Sequence, residues 1–253
     1  MTFTELYSIL NQKFPLDLRC EWDNDGVMCA VDFEKSVDKV LIALDVTMDT
    51  INYAIKNGFD TIISHHPLVF NSQKALTTMS FTQRKLIKLV QNNVRVMSFH
   101  TRLDACEGGV NDAIVSRFEY ESLERDESDP LARIITLKSK MTISDFANTV
   151  KDNLSSPLVL YSGKNEVSRV YIVGGDGKDY IPNAISCGAD TLLTGRASYN
   201  TMVDAEDMGI NIIEAGHFYT ENPVCKAIES YIFEIAPDIK TECYCSNKIS
   251  ILK

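Results

Sequence analysis

The sequence predicts an α/β protein of two similar, interlinked lobes with mostly parallel sheets and a dinuclear metal site in the cleft between them. Three observations predict it. Apolar runs alternate with helical patterns from Lys39 onward, the second half repeats the first at a fixed offset, and all four histidines fall just beyond apolar runs. The lobes are expected at residues 1–125 and 126–253, the first carrying a double histidine and a His-x-x-x-Asp pair, the second a His-x-x-x-Glu pair.

Taken in order, Phe3, Leu6, Tyr7, Ile9 and Leu10 form the stripe of an amphipathic first helix. The polar turn Glu21-Trp-Asp-Asn-Asp-Gly26 carries the only tryptophan, which serves as a packing anchor with a wet edge or as a wall of a site. Residues 40–44 read as a strand, Asp45-Val-Thr47 as the cap of a helix over 48–56, Gly58 as its end and 60–64 as the next strand. A helix over 82–91, a strand over 94–99 and a helix opened by Gly108-Gly-Val-Asn-Asp112 complete the first unit. Residues 120–130 are charged with little apolar periodicity and read as the boundary between halves. Beyond them come a strand over 132–137, a helix over 143–154 and a strand over 157–161.

A second alternating unit starts at Arg169. Val40-Leu-Ile-Ala43 aligns with Val170-Tyr-Ile-Val173, and the segment 54–64 with 184–194, at a constant offset of 130. Further on, at an offset of 117, His100-x-x-x-Asp104 matches His217-x-x-x-Glu221. The duplication is asymmetric in its chemistry, because Gly195-Arg196 stands where the first half has His65-His66.

The double histidine is the focus of the chain. Pro67 disfavours helix at His66, so the pair sits on an extended strand end with side chains expected on opposite sides. That arrangement suits two ions a few Å apart, one imidazole reaching each. Ligands of open α/β sheets gather beyond the carboxyl ends of the strands, where His65, His66, His100 and Asp104 all fall. His217 and Glu221 share a helix face at a spacing of four, and a carboxylate can bridge two ions. The metal ligands are therefore expected to be His65, His66, Asp104, His217 and Glu221. Two divalent ions per subunit follow, with zinc, manganese, iron, nickel and cobalt all compatible with the mixed nitrogen and oxygen set. His100 is an extra ligand or a catalytic proton shuttle, the second being preferred. Arg102 and Trp22 are the candidate substrate contacts, with Arg196 a further candidate for an anion. Gly174-Gly-Asp-Gly177 reads either as a tight strand-to-helix turn or as a cradle for phosphate.

The composition, 45% hydrophobic and 24% charged over 253 residues, is that of an ordinary globular protein. A formal net charge of −10 argues against nonspecific attraction to nucleic acid or anionic membrane. The chain opens without a basic-then-apolar leader and has no apolar run long enough to span a bilayer, so a cytoplasmic setting is expected. Seven cysteines without a C-x-x-C pair favour neither a disulfide framework nor a zinc finger, and reduced thiols are expected.

Trp22-Asp-Asn-Asp-Gly26, Ser64-His-His-Pro-Leu-Val-Phe70, His100-Thr-Arg-Leu-Asp104 with Gly108-Gly-Val-Asn-Asp112, and Gly216-His-Phe-Tyr-Thr-Glu221 together resemble the Nif-three-like dinuclear-metal family. Many of its members are called type 2 homologues of GTP cyclohydrolase I. The resemblance runs through nearly the whole chain and implies the same five metal ligands, with Glu221 as the bridge. It also implies a homohexamer arranged as a trimer of dimers, and a small anionic substrate such as a nucleotide. The implied activity is a metal-dependent hydrolase in which activated water attacks a nucleotide. A metal-dependent phosphoesterase and a non-catalytic metal-binding, storage or scaffold protein are the alternatives. Arg196 and Asn200 depart from the family pattern, in which an acid and a histidine often stand at those places.

Overall fold

The computed structural model describes residues 1–164 and 166–252. Its first helix, α1 (Phe3–Lys13), starts from a capping box in which the Thr2 hydroxyl accepts from the Glu5 amide while the Glu5 carboxylate accepts from the Thr2 amide. Phe3, Leu6 and Leu10 are its buried face. There follow β1 (Gly26–Cys29), β2 (Lys39–Ala43), α2 (Met48–Lys56), β3 (Thr61–Ser64), α3 (Phe81–Gln91), β4 (Arg95–Ser98) and the short α4 (Thr101–Ala105). The strands β3 and β4 are buried throughout, which explains why their sequences are not alternating.

The second compact unit comprises Glu107–Val224 and the residues from Ile249 on. It contains α5 (Val110–Val115), β5 (Ser122–Arg125), β6 (Arg133–Met141), α6 (Ile143–Asn153), β7 (Leu160–Ser162), β8 (Val167–Asp176), α7 (Ile181–Ser186), β9 (Thr191–Arg196), α8 (Tyr199–Asp207), β10 (Asn211–Glu214) and α9 (His217–Glu221). Their sheet runs β5-β6-β8-β9-β10-β7, parallel along β8-β9-β10 and antiparallel at the other ladders. The charged stretch expected to be a boundary is in fact β5, an edge strand whose Glu124 pairs through both oxygens with Arg169 on β8. Its polarity is that of an exposed sheet edge.

The chain then returns to the first unit, Met1–Cys106 with Cys225–Lys248, through α10 (Pro223–Ile235) and β11 (Lys240–Tyr244). Strand β11 pairs parallel with β2, giving the order β1-β4-β3-β2-β11 in which only β1 is antiparallel. The units therefore divide at Cys106/Glu107, not near residue 125, and the first unit takes back the C-terminal strand. A split at 125 would strip β2 of a neighbour and β6 of its edge partner.

The internal repeat holds down to individual hydrogen bonds. Val40 lies opposite Thr61 and Ala43 opposite Ser64; at the same offset of 130, Val170 lies opposite Thr191 and Val173 opposite Thr194. Asp60 accepts from the amides of Asp38 and Lys39 and from the Thr61 hydroxyl, and Asp190 accepts from the amides of Ser168 and Arg169 and from the Thr191 hydroxyl. Gly58 and Gly188 end the preceding helices at φ 70° and 69°. Beyond this stretch the offset falls from 130 to 117, the second half being 13 residues shorter between Thr194 and His217, and Gly216, at the N-terminus of α9, has a φ of 87°. Among the described residues no helix is long and apolar enough to cross a membrane, and all seven cysteines are free thiols.

Candidate metal centre

In the first unit, strand-like bonding continues past β3, with the amides of His65 and His66 donating to the carbonyls of Ala43 and Leu44. The Ser64 hydroxyl then donates to the His66 carbonyl at 2.9 Å and bends the segment. As a result the two imidazoles do not splay to opposite sides. Their centroids are 4.9 Å apart, and His100 lies 5.2 Å from His65 and 5.8 Å from His66. One donor nitrogen from each of the three lies within 4.8 Å of the others.

Every ring is oriented from behind. His65 Nδ1 donates to the Phe99 carbonyl at 3.0 Å, His66 Nδ1 to Asp45 Oδ1 at 2.8 Å and His100 Nδ1 to Asp23 Oδ1 at 2.8 Å. An oxygen acceptor on Nδ1 fixes the tautomer that leaves Nε2 as the lone-pair nitrogen. His65 Nε2 faces Asp104 Oδ1 at 3.7 Å, the carboxylate reaching it from the first turn of α4. His65 is buried whereas the His66 side chain is a quarter exposed.

Asp23 does two jobs. It accepts from the amide and hydroxyl of Thr101, capping α4, while its other oxygen holds His100. Burial works to raise its pKa, but the bonds from His100 and Thr101 outweigh burial and hold the carboxyl far below the usual range. Asp23 therefore stays an anion behind the imidazole.

In the second unit, α9 presents His217 and Glu221 on one face, with Nε2 and Oε2 3.0 Å apart. Glu221 is buried and His217 is more open. Helix α9 can sit this low on the sheet because of glycine. A Cβ on Gly175 would stand 2.3 Å from Glu221 Oε1, and one on Gly195 would stand 2.9 Å from His217 Cα. Gly174-Gly-Asp-Gly177 is thus no phosphate cradle. The first three of its residues end β8, and the glycine amides are engaged by Asn111 Oδ1, Thr220 Oγ1 and the Arg196 carbonyl.

Arg102 does not reach a substrate position. It is fully buried, with Nε bonded to Asp25 at 2.8 Å, Nη1 to Asn11 and the Phe14 carbonyl, and the guanidinium over the Phe99 ring. Such a guanidinium ties α1 and the Asp25 turn to β4 and α4. Trp22 is largely exposed, its ring 6.1 Å from that of His100. Sequence reasoning missed Asp45 as the partner of His66 and Asp23 as that of His100. The available signal was an acid at the end of β2 and another beside the lone tryptophan. It also missed Lys85 of α3, which is half-buried; burial lowers its pKa while the Asp45 carboxylate opposes that shift.

Three imidazoles with Nδ1 engaged and one ring nitrogen each within 4.8 Å of the others, beside a carboxylate, fit a borderline divalent cation, as does the His217–Glu221 pair. The family model described as Duf34/NIF3 (NGG1p interacting factor 3) matches residues 1–250, and the chain belongs to that family. A Clostridium perfringens relative called "GTP cyclohydrolase 1 type 2 homolog" is 33% identical over 242 residues, covering 92% of each chain. A Clostridium acetobutylicum protein of the same name is 33% identical over 228 residues, 87% of this chain and 85% of its own. In fold, the chain is similar to a Staphylococcus aureus hypothetical protein (TM-score 0.91, 24% identity, 100% and 99% of the two chains). It is likewise similar to a Bacillus cereus protein related to NIF3 (TM-score 0.89, 21% identity, 100% and 99%).

Proposed function

We propose that this protein is a dinuclear metal-dependent hydrolase acting on a small anionic substrate such as a nucleotide, with His65, His66, Asp104, His217 and Glu221 as ligands. The observation that carries the reading is the set of three imidazoles whose Nδ1 atoms are all bonded to oxygen acceptors and which each bring one ring nitrogen within 4.8 Å of the others. Purely structural histidines have no need of a common tautomer and a common focus. The relatives' name, GTP cyclohydrolase 1 type 2 homolog, supports a nucleotide as the first substrate to test.

Two divalent cations, when bound, supply a water of lowered pKa and stabilise negative charge on the attacked group. The residues of the chain do the rest. His65 and His66 offer lone pairs on Nε2, oriented by the Phe99 carbonyl and Asp45. Asp104 and Glu221 bring the anionic charge that balances the cations, and the two oxygens of Glu221 suit a bridge. His100 takes up a proton on the Nε2 lone pair, with the Asp23 carboxylate on Nδ1 stabilising the imidazolium that forms. We place the protein in the cytoplasm, in keeping with its free thiols, and propose that it assembles as a homohexamer, a trimer of dimers.

Incubating metal-loaded protein with GTP and following formate release tests the reading directly. The expected result is turnover in wild type, abolished in His65→Ala and retained metal with lost turnover in His100→Ala. Phosphate release in place of formate would make it a phosphoesterase. Tight metal without turnover of either kind would reject the hydrolase.

A further inference from the structure

Two large aromatic side chains stand at the surface next to the imidazole cluster. Trp22 is 63% exposed and Phe70 is 48% exposed, with ring centroids 6.2 Å apart. Trp22 stands edge-on to His100, and His100 in turn neighbours His65 and His66. The aromatic surface therefore runs straight into the donor set.

A single exposed apolar side chain is ordinary. These two are different because the backbone beneath them is fastened. The Cys20 amide donates to Thr101 Oγ1, and the Asp23 carboxylate accepts from His100 and Thr101. Asn24 Nδ2 donates to the Val69 carbonyl, tying the segment before Phe70 to the same turn. Residues on both sides of Trp22 are thus bonded to the segment that carries His100. Rings carried on a fastened backbone yet open to solvent, here tilted 50° to each other, lose less freedom when a flat partner lies on one and edges the other, which is the condition for stacking to contribute net affinity.

We propose that Trp22 and Phe70 form a stacking shelf for a planar, unsaturated ring of the ligand whose reacting group lies at His100 and its neighbouring imidazoles. The position of the reacting group rests on the hydrolase reading above. Recognition of the ring is a binding property and can be measured without turnover.

Trp22 is the only tryptophan of the chain, so intrinsic fluorescence reports on this shelf alone. The full chain loaded with zinc is titrated with GMP, UMP and ribose 5-phosphate, which share a phosphate and differ in the ring. GMP and UMP are expected to change the emission saturably, ribose 5-phosphate to leave it unaltered. By calorimetry, Phe70→Ala and Trp22→Leu are expected to weaken GMP about 5- to 100-fold while leaving ribose 5-phosphate affinity and metal content as in wild type. Equal affinity for GMP and ribose 5-phosphate, no saturable response to either nucleotide, or variants with unaltered GMP affinity would overturn the shelf. Emission that tracks protein concentration and ignores ligand would assign the surface to a second copy of the chain, and would overturn it too. Ring ligands that bind at Trp22 but are never turned over would leave the shelf standing and remove the hydrolase. Turnover of a nucleotide whose rate and affinity are indifferent to both variants would do the reverse.

Discussion

Replacing Arg102 by methionine separates an architectural role from a substrate role. The side chain keeps much of its volume but loses the charge that Asp25 faces at 2.8 Å, and both side chains are fully buried. Of the other partners of Asp25, Arg19 is 3.7 Å away, too far for a strong hydrogen bond, and the His100 amide donates at 3.3 Å without supplying a charge. Asn11 Oδ1 and the Phe14 carbonyl lose their donor at the same time. Breaking a buried pair by removing one partner costs about 3–5 kcal/mol. For a chain of this size about 2–4 °C of melting temperature goes with each kcal/mol, so a fall of about 6–20 °C is expected. Urea unfolding is followed by far-ultraviolet circular dichroism and by the emission of Trp22, which reports the first unit. The double variant Asp25→Leu/Arg102→Met, with both charges gone, is expected to be more stable than Arg102→Met alone. A midpoint within about 1 kcal/mol of wild type, together with a large loss of nucleotide affinity, would refute this and return Arg102 to the substrate.

Asp45→Asn keeps the shape beside His66 but weakens the orienting bond, and is expected to lower metal affinity about 10- to 100-fold in a competition titration without unfolding the protein. Gly175→Ala places a methyl group against Glu221 Oε1 at a residue whose φ is 68°, so metal affinity is expected to fall while other glycine substitutions in open space, such as Gly209→Ala, leave it unchanged. Asp126 is buried; burial raises its pKa, but Ser128 and the Tyr171 hydroxyl outweigh burial and hold it below the usual range. A depressed carboxyl stabilises the fold above the unfolded-state pKa of about 4 and loses that contribution as pH falls through its folded value. Asp126→Asn is therefore expected to flatten the loss of stability between about pH 5 and pH 2, measured by urea midpoints across that range; an unchanged slope would show that the Tyr171–Asp126 bond carries no such linkage.

Much of this was legible in the residues because the chain says it twice. The offset of 130 that aligns two apolar strands also aligns the aspartates that bracket them, so the parallel core of each unit could be written down before the coordinates. The double histidine and the two His-x-x-x-acid pairs stood out because histidine is scarce in this chain. The misread parts share a cause, which is contact between segments far apart in sequence. Strand β11 joins β2 across some 200 residues, and nothing local to residues 240–244 names that partner. Strand β5 looks like a linker because an edge strand needs few apolar side chains. Arg102 looks free until Asp25, Asn11 and Phe14 are seen folded onto it. The glycines of residues 174–177 resemble a phosphate loop, yet the absent side chain at Gly175 makes room for a carboxylate.

His65, His66, Asp104, His217 and Glu221 are proposed as the ligands of two cations. Diffraction from crystals grown with zinc, recorded on both sides of its absorption edge, measures this directly. Two anomalous peaks per chain are expected, about 3.5–4 Å apart, each within bonding distance of residues among His65, His66, Asp104, His217 and Glu221. Peaks that bind only cysteine or surface acids, or a Glu221 carboxylate that touches neither ion, would contradict it.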